Sequence, residues 1–278
     1  MIVDMHVHLI EYQPYHPWVI DWMRQSLGDQ TEGFARRFRE PANMVQYLRE
    51  AGVDYAVVLA EVSPITTGMC SNEQVVEFCR GHRQLIPFAS INPFLQSRPA
   101  EELERCVREL GMRGVKLYPT YQYFYPNDAM LYPLYARAVE LGIPVMVHTG
   151  SSIFRGARLK YGDPLYLDDV AVDFPGLNLI LVHGGRGFWY DRAFFLARLH
   201  PNVHLEISGL PPQHLLNYFP EVERIPEKVL FGSDFPGMPF IRQNIEAIRG
   251  LPLKEKTKEL ILGGNAARLL GLAEELGN

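Results

Sequence analysis

Cysteine is scarce in this chain. Cys70, Cys79 and Cys106 are the only three in 278 residues. Their number is odd and no two form a C-x-x-C pair, so neither a disulfide framework nor a cysteine zinc site is expected. Free thiols suit a reducing compartment, and a cytoplasmic location is the expectation. Long apolar runs are also missing. No stretch approaches the roughly 20 residues that a membrane-crossing helix needs, which argues against a membrane partner. The first apolar run begins at residue 2 and leaves no room for a signal peptide. Nor is there an excess of positive charge. Lys and Arg total 27 against 32 Asp and Glu, a net charge of −5, and no basic cluster offsets it. Nucleic acid is therefore not an expected partner. Repeats, low-complexity runs and linkers are absent too, so residues 1–278 read as one domain.

What the chain does have is apolar residues in a telling order. They make up 47% of it, enough for a large buried core. Short runs with strand character recur at 2–8 (IVDMHVH), 53–60, 85–91, 114–118, 143–148, 178–183, 203–208 and 228–234. Helical patterns lie between them, for example at 41–51, 72–82, 99–110 and 129–141. Pro41 and Pro99 suit a first helical turn. Gly52, Gly111 and Gly142 stand where helix ends favour glycine. Eight strands alternating with helices predict an α/β fold, a (β/α)8 TIM barrel with a long loop after strand 1. An open doubly wound sheet is the structural alternative. It usually carries a glycine-rich loop after its first strand, and here that strand runs into HVHLIEY. The segment 9–40 is long for a barrel loop. It is expected either to cover the barrel mouth or to pack outside it.

The polar residues cluster where a barrel keeps its chemistry, at the C-terminal ends of strands. Strand one ends in His6 and His8, strand five in His148, strand six in His183 and strand eight in Asp234, while strand four carries Lys116. Alternate strand residues share a face. In DMHVH this puts Asp4, His6 and His8 on one face and Val3, Met5 and Val7 on the other. Met146 pairs in the same way with His148, Lys116 with Tyr118, and Leu181 with His183. An imidazole, carboxylate or ammonium turned into the helix layer would be costly. Turned into the mouth, facing a metal ion, it would be stabilised. His204 and Glu206 have inward parity on strand seven and are candidates to support that set. His16, His82, His200 and His214 fall in loops or helices and are expected at the surface.

Taken together, DMHVH at 4–8, GVKLYP at 114–119, VMVHTG at 145–150, LVHGG at 181–185, LFGSDFP at 230–236 and ILGGNAARLLGL at 261–272 resemble the amidohydrolase superfamily. The likeness is to its amidohydrolase-related branch of metal-dependent barrels. That branch includes enzymes similar to aminocarboxymuconate-semialdehyde and resorcylate decarboxylases. The resemblance implies that His6, His8, His148 and Asp234 bind a divalent metal. It makes His183 an acid/base in one-metal members and a ligand in two-metal members. VKLYP resembles the segment whose lysine, once carboxylated, bridges two metals, so Lys116 is a sixth candidate ligand. Its alternatives are contact with an acidic substrate or pairing with a carboxylate such as Glu206. The resemblance also implies a homodimer.

Neutral imidazoles with one carboxylate suit Zn²⁺, with Mn²⁺ as the alternative, and one or two ions. Two reactions use such a centre. In the first, water activated by the metal attacks a small amide, ester or lactone, with Asp234 and His183 moving protons. In the second, an aromatic or unsaturated carboxylic acid loses CO2 without oxidation. A barrel that binds metal or ligand without turnover is the third reading. Arg186 and Arg155, on loops after strands six and five, are candidates to hold a carboxylate substrate, and Tyr118 to wall the pocket.

Overall fold

A computed structural model describes residues 1–9 and 15–272. Each of the eight apolar runs is a strand: β1 (Val3–His8), β2 (Tyr55–Leu59), β3 (Leu85–Ser90), β4 (Val115–Leu117), β5 (Val145–Gly150), β6 (Leu179–Arg186), β7 (Val203–Glu206) and β8 (Val229–Leu230). They pair in sequence order, every pair parallel. The ring closes where β1 meets the backbone beyond β8. Met5 N donates to Phe231 O (3.0 Å), Asp234 N to His6 O (3.0 Å) and His8 N to Phe235 O (2.7 Å). Asp4, fully buried, fastens the seam from the side: its Oδ1 accepts the Ser233 and His6 amides at 2.9 and 3.0 Å. The (β/α)8 expectation is met.

The helices begin and end as their punctuation predicts. Pro41 and Pro99 open the helices Pro41–Ala51 and Pro99–Arg108. Gly142, left-handed at φ 66°, closes Tyr132–Leu141. Two cores result. Val3, Met5, Val57, Leu59, Phe88, Met146 and Ile180 fill the barrel. Val58, Val145, Val147, Leu181 and Leu205 face the helices. Each such buried aliphatic side chain contributes about 1.5–3 kcal/mol of transfer free energy.

Strict alternation fails at two strands, and both failures serve the mouth. The register of β1 against β2 shifts between Asp4 and Val7. One extra residue there reverses parity, as a β-bulge does. Val3 and Met5 therefore join the inner core, and Val7 the outer. In β6, Leu181 faces the helices as its parity demands. His183 does not follow it. Its φ is +63°, and Gly184 and Gly185 are also left-handed. That turn brings the imidazole into the mouth. Asp234 has φ +63° as well. Left-handed backbone in a non-glycine residue costs about 1 kcal/mol or more and concentrates at functional sites.

The segment after β1 is largely helical, at Pro17–Leu27 and Thr31–Arg37, rather than an open loop. Residues 10–14 lie outside the described residues. The first helix covers the mouth. It is fixed there by Trp18 Nε1 donating to Thr66 O (2.8 Å) and Ser26 Oγ to Gly237 O (3.3 Å). Just before it, His16 Nε2 bonds Pro64 O (2.7 Å). Of the four histidines expected at the surface, His214 is exposed, whereas His16, His82 and His200 are half-buried. Among the described residues no helix is long and apolar enough to cross a membrane.

Candidate metal centre and active site

A cavity of about 340 Å³ opens at the C-terminal ends of the strands. His6, His8, Lys116, His148, His183 and Asp234 line it. Tyr15, Trp22, Met23, Phe154 and Met238 form its apolar wall. Arg186 and Tyr118 reach it too, but Arg155 is exposed and lies outside the lining residues.

The donor atoms converge tightly. His6 Nε2 lies 3.1 Å from His8 Nε2 and 3.3 Å from Asp234 Oδ1, and His8 Nε2 lies 3.9 Å from the same oxygen. Two imidazoles and a carboxylate so placed have the geometry to enclose one cation. His148 stands slightly apart, its ring 4.8 Å from that of His183. Its Nε2 is buried and has no hydrogen-bond partner, as is His8 Nδ1. Orphaned nitrogens in a buried site are costly unless something coordinates them. Burial, more than any neighbouring charge, holds all four imidazoles well below their usual 6.5, so they are neutral and their lone pairs free to ligate.

Lys116 is buried among them, Nζ 2.7 Å from His6 Nε2 and 4.8 Å from the Tyr118 ring centre. Burial pulls its ammonium down to about 8, against the opposing pull of Asp234, Glu206 and Glu61. The Tyr118 hydroxyl donates to Ala60 O (2.8 Å), so only its ring serves the cavity. Arg186 donates from Nη2 to Ser151 O (3.2 Å). Gly209 has φ +67°, and a Cβ built there would stand 2.4 Å from Arg186 Nη1, 3.2 Å from Asp234 Oδ2 and 3.3 Å from His183 Nδ1. The guanidinium thus lies against bare backbone, with metal-site residues on the other side.

Three further residues belong to the site. Glu206, already a candidate from its parity, is fully buried with Oε2 3.2 Å from His6 Nδ1. Ser208 bonds Glu206, His6 and His183 at once. Glu61 approaches His8 Nδ1 at 3.6 Å from the hairpin that follows β2 and also bonds Thr67. Burial raises Glu61 to about 7. Its signal in the sequence is its position, as the first charged residue after the apolar run 56–60. His204, by contrast, is buried but does not line the cavity.

The amidohydrolase family model matches residues 3–272. A 2-keto-4-carboxy-3-hexenedioate hydratase of Sphingobium sp. is 28% identical over 52% of this chain and 51% of its own length. A 2-amino-3-carboxymuconate-6-semialdehyde decarboxylase of Dictyostelium discoideum is 25% identical over 62% of this chain and 57% of its own length. The chain thus spans about half the length of the curated relatives it matches. Among solved structures, an uncharacterized TIM-barrel protein of Bordetella bronchiseptica has a TM-score of 0.80 at 25% identity, covering 98% of this chain and 99% of that one. A 5-carboxyvanillate decarboxylase of Novosphingobium aromaticivorans, complexed with manganese and a nitrobenzoic acid, has a TM-score of 0.69 at 14% identity, covering 98% and 96%. With a match from one end of the barrel to the other, the chain belongs to the amidohydrolase family.

Proposed function

We propose that this protein is a metal-dependent lyase that removes CO2 from a small unsaturated or aromatic carboxylic acid. The observation that carries the reading is the meeting of His6, His8 and Asp234 within 3.9 Å of one another under a cavity that Arg186 enters. The donor set fits a divalent transition ion: two neutral imidazoles, a carboxylate, and the unpartnered Nε2 of His148 close by. His6, His8, His148 and Asp234 would hold it. When bound, the ion supplies a Lewis acid that draws electron density from the substrate. Zn²⁺ and Mn²⁺ both suit these donors. The named activities of the curated relatives are a decarboxylase and a hydratase, which favours the lyase over hydrolysis of an amide, ester or lactone.

The chain's own residues do the rest. Arg186, with one arm on Ser151, presents its remaining N–H groups to a substrate carboxylate. Lys116 adds positive charge to the floor, and the apolar wall of Trp22 and Phe154 receives the carbon skeleton. His183 Nδ1 donates to the Ser208 carbonyl at 2.9 Å, which leaves Nε2 free to take up a proton from the acid or hydroxyl group of the substrate. That proton goes to the carbon that loses CO2, and the C–C electron pair becomes the new C–H bond. The test is CO2 release by metal-replete protein from a panel of hydroxybenzoates and unsaturated diacids, with loss on chelation. Hydrolysis of esters or lactones without any CO2 release would overturn the reading. A second reading is hydration of a double bond in such an acid, favoured by the 28% identity to a hydratase. A mass gain of one water in the product selects it.

A further inference from the structure

His6, His183 and Glu206 form a second cluster of potential ligand atoms, all buried, behind the first. Its hydrogen bonds give it a different role. The carbonyl of Ser208 only accepts, so His183 Nδ1 at 2.9 Å must carry the hydrogen. Glu206 Oε1 accepts the Ser208 amide (2.7 Å), and Oε2 accepts the Ser208 hydroxyl (2.8 Å). With its own hydrogen given to Glu206, the Ser208 oxygen at 2.6 Å from His6 Nδ1 acts as acceptor, so His6 also carries its hydrogen on Nδ1. Glu206 Oε2, 3.2 Å from the same nitrogen, is a second acceptor. Both histidines then turn bare Nε2 atoms to the cavity. Neither Nδ1 in this second cluster has a lone pair for an ion.

We propose that Glu206 and Ser208 are positioning residues that lock His6 and His183 as Nδ1–H tautomers, making His6 Nε2 a ligand and His183 Nε2 a proton acceptor. Glu206 sets the His6 tautomer, directly and through the Ser208 hydroxyl, and the Ser208 carbonyl sets that of His183. Fixing the tautomer of a ligating imidazole through a carboxylate behind it is a general device of metal sites. The space for that carboxylate is provided by Gly232, whose Cβ would fall 2.0 Å from Glu206 Oε1. This inference rests on the metal-dependent reading only for what His6 Nε2 binds, not for the tautomers.

Two variants separate positioning from simple packing. In Glu206→Gln the amide oxygen stays opposite the Ser208 N–H and the new NH2 replaces Oε2. It donates to Ser208 and His6, which drives His6 to the Nε2–H form. In Ser208→Ala the His6 hydrogen falls to Glu206 directly and the His183 bond to the Ser208 carbonyl remains. Zn²⁺ and Mn²⁺ titrated into the chelator-stripped full chain should bind E206Q about 10- to 100-fold more weakly than wild type. S208A should lose no more than about threefold. Long-range ¹H–¹⁵N correlation of ¹⁵N-histidine protein should show His6 and His183 as Nδ1–H in the wild type, and His6 as Nε2–H in E206Q. Equal losses in the two variants, or a wild-type His6 in the Nε2–H form, would overturn the proposal. If stripped wild-type protein binds neither metal, the functional reading fails and the resonances alone decide the tautomers.

Discussion

Gly232→Ala tests whether the buried carboxylate behind the site is held as tightly as its geometry implies. The new Cβ would sit 2.0 Å from Glu206 Oε1 and 2.9 Å from His6 Cβ, where ordinary contact begins at 3.4 Å. Glu206 is boxed in by β7, Ser208 and His6, so it cannot step aside and keep its bonds. Two bonds are at stake, from the Ser208 amide at 2.7 Å and its hydroxyl at 2.8 Å. Leaving a buried partner of such a bond unsatisfied costs about 1–3 kcal/mol. With partial relaxation, a loss of about 3 kcal/mol follows. At roughly 2–4 °C per kcal/mol for a chain of this size, Tm should fall by about 6–12 °C. Gly209→Ala is the control. Its Cβ meets the far end of the flexible Arg186 side chain, and the left-handed φ of +67° adds about 1–2 kcal/mol of strain. Its Tm should fall by only about 2–8 °C. Calorimetry on metal-stripped protein measures both. A Tm for G232A within 2 °C of wild type, or a larger fall in G209A, would refute the reasoning.

Other consequences can be measured separately. Arg186→Lys keeps the charge but loses the planar fork, so KM for an acid substrate should rise about tenfold or more with kcat less affected. His183→Gln should lower kcat by about 10²- to 10⁴-fold while metal content is unchanged, as metal analysis beside steady-state kinetics would show. His204 gives a pH prediction remote from the cavity. Burial holds it down at about 3, with Lys228 and Arg268 adding to the effect, while the unfolded chain titrates near 6.5. Below pH 6.5 the unfolded state takes up the proton and the folded state does not, so stability falls with pH, by about 2 kcal/mol at pH 5. Urea titrations should show His204→Leu losing less stability than wild type between pH 7 and pH 5. Equal losses would mean that His204 is solvated in the folded state.

The fold was legible because eight apolar runs separated by helical patterns admit few arrangements, and Pro41, Pro99 and Gly142 mark helix ends that the structure bears out. Simple alternation correctly placed Lys116 and His148 inward, opposite Val115 and Val147. It misassigned β1 and β6, because a bulge and a left-handed residue are settled by hydrogen bonding across the barrel, which no short stretch records. The cover after β1 was visible only as length. Its helices depend on contacts with Thr66 and Gly237, far along the chain. Ser208 was invisible for a related reason. A serine acquires a role only when Glu206, His6 and His183 are brought to it. Arg155 shows the reverse, a charged residue on the right loop that the fold leaves facing solvent.

Anomalous diffraction at the absorption edges of zinc and manganese, from crystals of the protein as purified, addresses the central claim most directly. The account predicts a peak within bonding distance of His6 Nε2, His8 Nε2 and Asp234 Oδ1. No peak there in metal-supplemented crystals, or a peak at His6 Nδ1 beside Glu206 instead, would contradict it.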